Sequence, residues 1–161
     1  MKPLRVYVDT SVIGGCLDEE FAEDSLRLLE AAKQGRLVLL VSATVLKELA
    51  MAPRGVVQLF NALPASALED VPNTAEVFAL RDAYVSAGVV SPQSMDDAAH
   101  VAAATVARAD AIVSWNFRHI VRLDRIKAYN QVNYANGYGV LTIVSPREVQ
   151  LDESDQDQET V

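Results

Sequence analysis

Cysteine is nearly missing from this 161-residue chain: Cys16 stands alone, so no internal disulfide staples the fold. Long apolar runs are missing too. The longest unbroken one, Leu37 to Val41, falls far short of the ~20 residues that a membrane-spanning helix needs, which leaves no basis for a membrane partner. The opening MKPLRVYVDTS lacks the charged stretch and long apolar core of a secretory signal, and the expected location is cytoplasmic. No strand-like run is followed by G-x-G-x-x-G, which argues against a dinucleotide-binding domain. An excess of base is also lacking: 22 acids face 14 lysines and arginines, and the net charge of -8 argues at first against a nucleic-acid partner.

The distribution of that charge weakens the objection. Five acids and no base follow Leu151 (Asp152, Glu153, Asp155, Asp157 and Glu159), so residues 1–151 carry seventeen acids of the 22 against all 14 bases. The body is nearly neutral. Residues 152–161 are polar, have no aromatic side chain and read as a solvated, disordered acidic tail. Hydrophobic residues at 50% and charged residues at 22% exclude a wholly disordered or fibrous chain, and the length suits one domain, 1–151.

Along the body, LRVYV (4–8) and Leu37 to Val41 read as buried strands, the first ending in a turn at Asp-Thr-Ser and the second leading into a helix. The helix expected over 21–34 puts Leu26, Leu29 and Ala32 on one face and stops at Gly35. Ser42 is placed to cap SATVLKELAMA, Asn73 to cap a helix ending near Gly88, and Ser94 to cap the alanine-rich MDDAAHVAAATVARA. A third strand is expected at 110–114, a helix at 117–129 and a last strand at 140–144. Alternating strand and helix point to an α/β fold with a central parallel sheet.

In such sheets ligands bind beyond the carboxyl ends of the strands, which singles out Asp9 and Asn116. Glu48 falls about two turns into the helix after the second strand, and Asp96 and Asp97 open the alanine-rich helix. Each has a plainer role open to it: Asp9 as a turn former, Glu48 as a solvated charge, Asp96 and Asp97 as partners of the helix dipole, Asn116 as a cap, and His100 as a packing histidine. Were the acids to converge, their repulsion would call for a hard cation, and carboxylate oxygens suit Mg²⁺ or Mn²⁺. A divalent ion among acids suits attack of water on a phosphodiester.

Taken in order, Asp9-Thr10-Ser11 after the first strand, Glu48 in SATVLKELA, Asp97 in DAAHVAAA and Ser114-Trp115-Asn116 in IVSWN resemble the signature of PIN-domain ribonucleases, most closely the VapC-type toxins of bacterial toxin-antitoxin pairs. The resemblance runs over roughly residues 4–145. It implies a three-layer α/β/α fold, Mg²⁺ or Mn²⁺ dependence, endonucleolytic cleavage of RNA, a cognate antitoxin and a homodimer. Asp9, Glu48 and Asp97 match the family's acidic positions, and Thr10 and Ser114 its hydroxyl positions. Asn116 departs from the Asp common there, and Asp96 is the acid at hand to restore the charge.

Arg118, Arg122 and Arg125 would share one face of the helix expected at 117–129, a surface for RNA phosphates or simply a solvated basic face. A catalytically degenerate PIN fold that only binds is the main competing reading. A phosphatase of the haloacid dehalogenase type needs an acid two residues after Asp9, where Ser11 stands.

Overall fold

Leu4–Val8 (β1), Leu37–Ser42 (β2), Leu68–Val71 (β3), Ala111–Val113 (β4) and Ile143–Val144 (β5) pair in parallel, in the spatial order β3-β2-β1-β4-β5. These are the strands of a computed structural model, which describes residues 2–151; the tail assigned to 152–161 lies outside the described residues. β2 is an aliphatic run and β1 is buried without a break from Val6 to Val8 because helices cover both faces of the sheet, leaving no solvent side to alternate with. Val6, Tyr7, Val8, Leu39 and Leu40 are all buried at its centre.

Among the described residues seven α-helices connect the strands: Thr10–Gly15 (α1), Ala22–Lys33 (α2), Ala43–Leu49 (α3), Arg54–Asn61 (α4), Ala75–Ser86 (α5), Met95–Val106 (α6) and Leu123–Ala135 (α7). The architecture is the expected three-layer α/β/α arrangement around a parallel sheet. α6 lies against β2 and β4, and its alanines 98, 102, 103 and 104 are buried, which lets α5 pack closely on it. None of the helices among the described residues is long and apolar enough to cross a membrane.

Several local expectations shift. Thr10–Gly15 is a helix rather than a plain turn, held by packing on α2, α3 and α4 despite two glycines. A Cβ on Gly15 would lie 2.6 Å from Ser25 Oγ and 2.7 Å from Trp115 Nε1, so only glycine lets α1 sit against α2 and the indole. The buried stripe of α2 is Ser25, Leu28, Leu29, Ala31 and Ala32, and Leu26 is 45% exposed: the helix is turned so that Ser25 Oγ accepts from Trp115 Nε1 at 2.7 Å. Thr74, not Asn73, caps α5, its hydroxyl accepting from Val77 N, while Asn73 donates to Thr44. The last strand is only two residues long, and Val140 is exposed.

The helix expected at 117–129 begins only at Leu123. Asn116 Oδ1 accepts from the amides of His119 at 2.8 Å and Arg118 at 3.2 Å, and its carbonyl accepts from Val121 and Ile120, which winds this segment into turns. Ile120 is thereby driven into the core. Arg118, Arg122 and Arg125 therefore do not line one helical face. Arg122 stands at the N-cap, paired with Asp124, and Arg125 is drawn back onto the carbonyl of Val89.

Candidate active site

The parallel register Val8↔Val113 sets the residues that follow β1 and β4 side by side at the carboxyl edge of the sheet. Asp9, at the N-cap of α1, is only 4% exposed. Its carboxylate accepts from Ser11 Oγ at 2.5 Å and from Ser114 Oγ at 2.6 Å. The two hydroxyls are held in turn, Ser11 Oγ accepting from Trp115 N and Ser114 Oγ from Asn116 N, both at 2.9 Å. The hydroxyls fix Asp9 from both sides.

Asp97 comes from the first turn of α6, and Asn116 Nδ2 donates to its Oδ1 at 3.0 Å. Glu48, from α3, is met by His100 Nε2, and His100 lies one turn after Asp97 on α6. The structure thus brings Asp9, Glu48, Asp97 and Asn116 to one end of the sheet. Asp96, proposed to restore charge, instead meets Lys47 at 3.3 Å on the exposed side of α6. Thr10 Oγ1 is buried without a hydrogen-bond partner, as is His119 Nδ1.

Charge repulsion is built into this edge. Burial pushes the Asp9 carboxyl above its ordinary value of 3.8 and the charge of Glu48 adds to it, against the pull of His100 and the two serine hydroxyls. Burial likewise raises Asp97, helped by Asp9 and Glu48 and opposed by His119 and His100. Burial lowers His100, but its bond to Glu48 and the charges of Asp9, Glu48 and Asp97 outweigh that and leave it raised. The carboxylates rest on hydroxyl, amide and imidazole donors, and no lysine or arginine among the described residues is paired with them.

Among the described residues no three His, Cys, Asp or Glu side chains are drawn together closely enough to hold a metal ion as they stand. The donor chemistry nonetheless fits a hard divalent cation: mutually repelling carboxylates and the unpartnered hydroxyl of Thr10 are all oxygen ligands.

The sequence model of the PIN domain matches residues 5–118, from β1 through the turn after Asn116. The chain belongs to the PIN-domain family. A solved structure similar to it, a crystal structure of VapBC2 from Rickettsia felis bound to a DNA fragment from their promoter, contains a chain with a TM-score of 0.53 and 14% identity, covering 88% of this chain and 98% of that one. At that identity the likeness supports the PIN fold alone. No curated protein sequence matches the chain.

Of the two hydroxyls that hold Asp9, the sequence names Ser114 and not Ser11, which enters there only as a residue of the Asp9-Thr10-Ser11 motif and as the wrong residue for a phosphatase. Phe117, between Asn116 and Arg118, is 43% exposed, its ring edge-on to Trp115 with centroids 6.1 Å apart. Trp115 is itself stacked on Phe21 at 4.1 Å, so an exposed aromatic stands on a rigid base beside the acids. An aromatic next to a motif asparagine was the signal available for it.

Proposed function

We propose that this PIN-domain protein is a divalent-cation-dependent endoribonuclease of the cytoplasm, the toxin of a type II toxin-antitoxin pair. The observation that carries the nuclease reading is the convergence of Asp9, Glu48 and Asp97 from three elements on one sheet edge, where burial and mutual repulsion raise Asp9 and Asp97. Membership of a family whose members are generally nucleases supports it. Asp9 and Asp97, with Glu48, would hold Mg²⁺ or Mn²⁺, the hydroxyl of Thr10 would supply a further oxygen, and Asn116, whose amide oxygen is taken up by the amides of Arg118 and His119, would act through its Nδ2 on Asp97. A cation there lowers the pKa of water and offsets the charge that develops on a phosphate in hydrolysis.

The chain's own residues do the positioning. Ser11 and Ser114 hold the Asp9 carboxylate by both oxygens, which fixes its direction. Asn116 holds Asp97. Arg118 and Arg122, next to Asn116 and outside the helix, are the candidate phosphate contacts. Arg125 is bound to the Val89 carbonyl and contributes less. Phe117 would stack a base of single-stranded RNA. An antitoxin partner and a homodimer belong to the same reading, with the fold shared with a chain of the VapBC2 crystal structure as support.

The test is cleavage of labelled single-stranded RNA by purified protein with Mg²⁺, with Mn²⁺ and with EDTA. Cleavage that needs the cation and is lost in Asp9→Asn is expected; no cleavage with either cation overturns the enzymatic reading. The alternative, a PIN fold that only binds, is favoured by the amide of Asn116, which occupies Asp97 where a carboxylate would gather charge. RNA binding without cleavage would select it.

A further inference from the structure

Tyr7, Ser42, Glu48 and His100 come from four different elements, β1, the end of β2, α3 and α6, and form one line of hydrogen bonds leading into the acidic edge. Ser42 Oγ and Tyr7 OH are 2.7 Å apart, Tyr7 OH and His100 Nδ1 are 2.7 Å apart, and His100 Nε2 meets Glu48 Oε1. The imidazole is 1% exposed and Tyr7 is fully buried. We propose that His100 is a positioning residue for Glu48, its ring fixed from behind by Tyr7 and Ser42 so that the carboxylate is held toward Asp9 and Asp97 for a divalent cation.

The inference rests on the nuclease reading above. Its argument is one of donors and acceptors. A carboxylate has no proton to give, so His100 Nε2 carries the hydrogen in this contact. With the ring neutral, Nδ1 is then an acceptor, the Tyr7 hydroxyl donates to it, and the Tyr7 oxygen accepts from the Ser42 hydroxyl. One direction of donation satisfies every atom, and the tautomer is set by the Glu48 carboxylate.

Two further observations favour positioning over simple satisfaction of a buried ring. Ser42 is the N-cap residue of α3, the helix that carries Glu48, yet its hydroxyl makes no capping bond and is turned to Tyr7 instead. A local stabilising contact is given up for the longer line. Glu48 is a long side chain about one-third exposed, and the hydrogen bond from His100 engages Oε1 alone, with none to Oε2 among the described residues. The ring removes the freedom of the carboxylate while leaving an oxygen available. Groups that hold a cation's ligands from behind typically change affinity by about 10- to 100-fold when removed.

The experiment measures Mn²⁺ affinity of the metal-stripped full chain by paramagnetic resonance of free Mn²⁺, together with melting temperature, for the wild type, His100→Leu, His100→Gln and Tyr7→Phe. His100→Leu keeps bulk but no donor, and affinity should fall about tenfold or more. His100→Gln carries an amide N–H in reach of Glu48 and should recover most of that loss. Tyr7→Phe keeps the ring and removes the hydroxyl, so affinity should fall about threefold with RNA affinity in EDTA unchanged. Should His100→Leu not fold, Tyr7→Phe and the glutamine variant decide. Wild-type Mn²⁺ affinity in the folded leucine variant, or a glutamine variant as weak as leucine, overturns the inference. A wild type that binds Mn²⁺ and cleaves RNA with all variants alike removes the inference and leaves the function. A wild type that neither binds Mn²⁺ nor cleaves removes both.

Discussion

Replacing Asp9 by asparagine should abolish RNA cleavage and at the same time make the metal-free protein more stable. The wild-type carboxylate is buried and raised above 3.8, first by burial and then by the charge of Glu48. A carboxyl whose pKa rises on folding binds more protons in the folded chain than in the unfolded one between the two values. Stability therefore falls as pH climbs from 3.8 through the folded value, and the loss is complete above it. Asparagine carries no such penalty, and each unit of that shift is worth about 1.4 kcal/mol at neutral pH. Against this, the carboxylate accepts from both Ser11 and Ser114, whereas an amide has one acceptor atom, so one of the two bonds is lost or reversed at a cost of about 1 kcal/mol. Burial makes the first effect the larger, and each 1 kcal/mol of net gain raises the melting temperature of a chain this size by about 2–4 °C. Melting curves in EDTA at pH 7.5 read it, and the gap should close as pH falls toward about 4. With Mg²⁺ the wild type should gain stability by mass action and the variant should not, while cleavage drops more than about tenfold. A variant that melts below the wild type in EDTA, or equal stabilisation of both proteins by Mg²⁺, would refute the reasoning.

Asn116→Asp removes the donor that holds Asp97 at 3.0 Å and sets carboxylate against carboxylate. Isothermal titration should show Mg²⁺ affinity rising about tenfold, with a lower melting temperature in EDTA; no change in either takes Asn116 out of the site. Gly15→Ala drives a methyl group to 2.6 Å from Ser25 Oγ and 2.7 Å from Trp115 Nε1, and urea denaturation should show a loss of about 1–3 kcal/mol. Phe117→Ala, made in the Asp9→Asn background, should weaken binding of single-stranded RNA about tenfold in fluorescence anisotropy; equal affinity would remove Phe117 from the RNA path.

The central strands were legible because β1 and β2 are covered on both faces, so they read as short apolar, β-rich runs, broken in β1 only by Arg5 near its exposed start. LEDV was passed over as a strand because β3 lies at the sheet edge and only Val71 of its four residues is buried. α1 was unreadable for a different reason: TSVIGG has poor helix propensity, and what makes it helical is its packing on α2, α3 and α4. The arginine face failed because periodicity takes no account of Asn116, whose side chain and carbonyl bind four of the next five amides and postpone the helix to Leu123. Tyr7 read as one more core residue of a strand, and His100 as a packing histidine. Their meeting depends on the register that sets Tyr7 opposite Leu40 and Ile112 with α6 beneath, which no local pattern encodes.

The donors chosen for the acids separate two ways of quieting a cluster of carboxylates. A lysine or arginine would neutralise the charge and stabilise the fold, but it would occupy the place a divalent cation needs. Lys47 shows that such a residue is at hand, since it adjoins Glu48 in sequence; its ammonium group nevertheless lies against Asp96, on the exposed side of α6. Ser11, Ser114 and Asn116 instead give single hydrogen bonds that fix direction without cancelling charge, so the repulsion among Asp9, Glu48 and Asp97 remains. His100 differs in kind: its ring, whose affinity for a proton burial lowers and the same three acids raise, gives Glu48 a hydrogen bond from Nε2. A protein selected for stability alone would gain by exchanging Glu48 or Asp97 for apolar residues. Retaining all three acids with hydrogen-bonded supports stores a repulsion that a cation can release, and this is the physical reason the metal-free protein should be the less stable form.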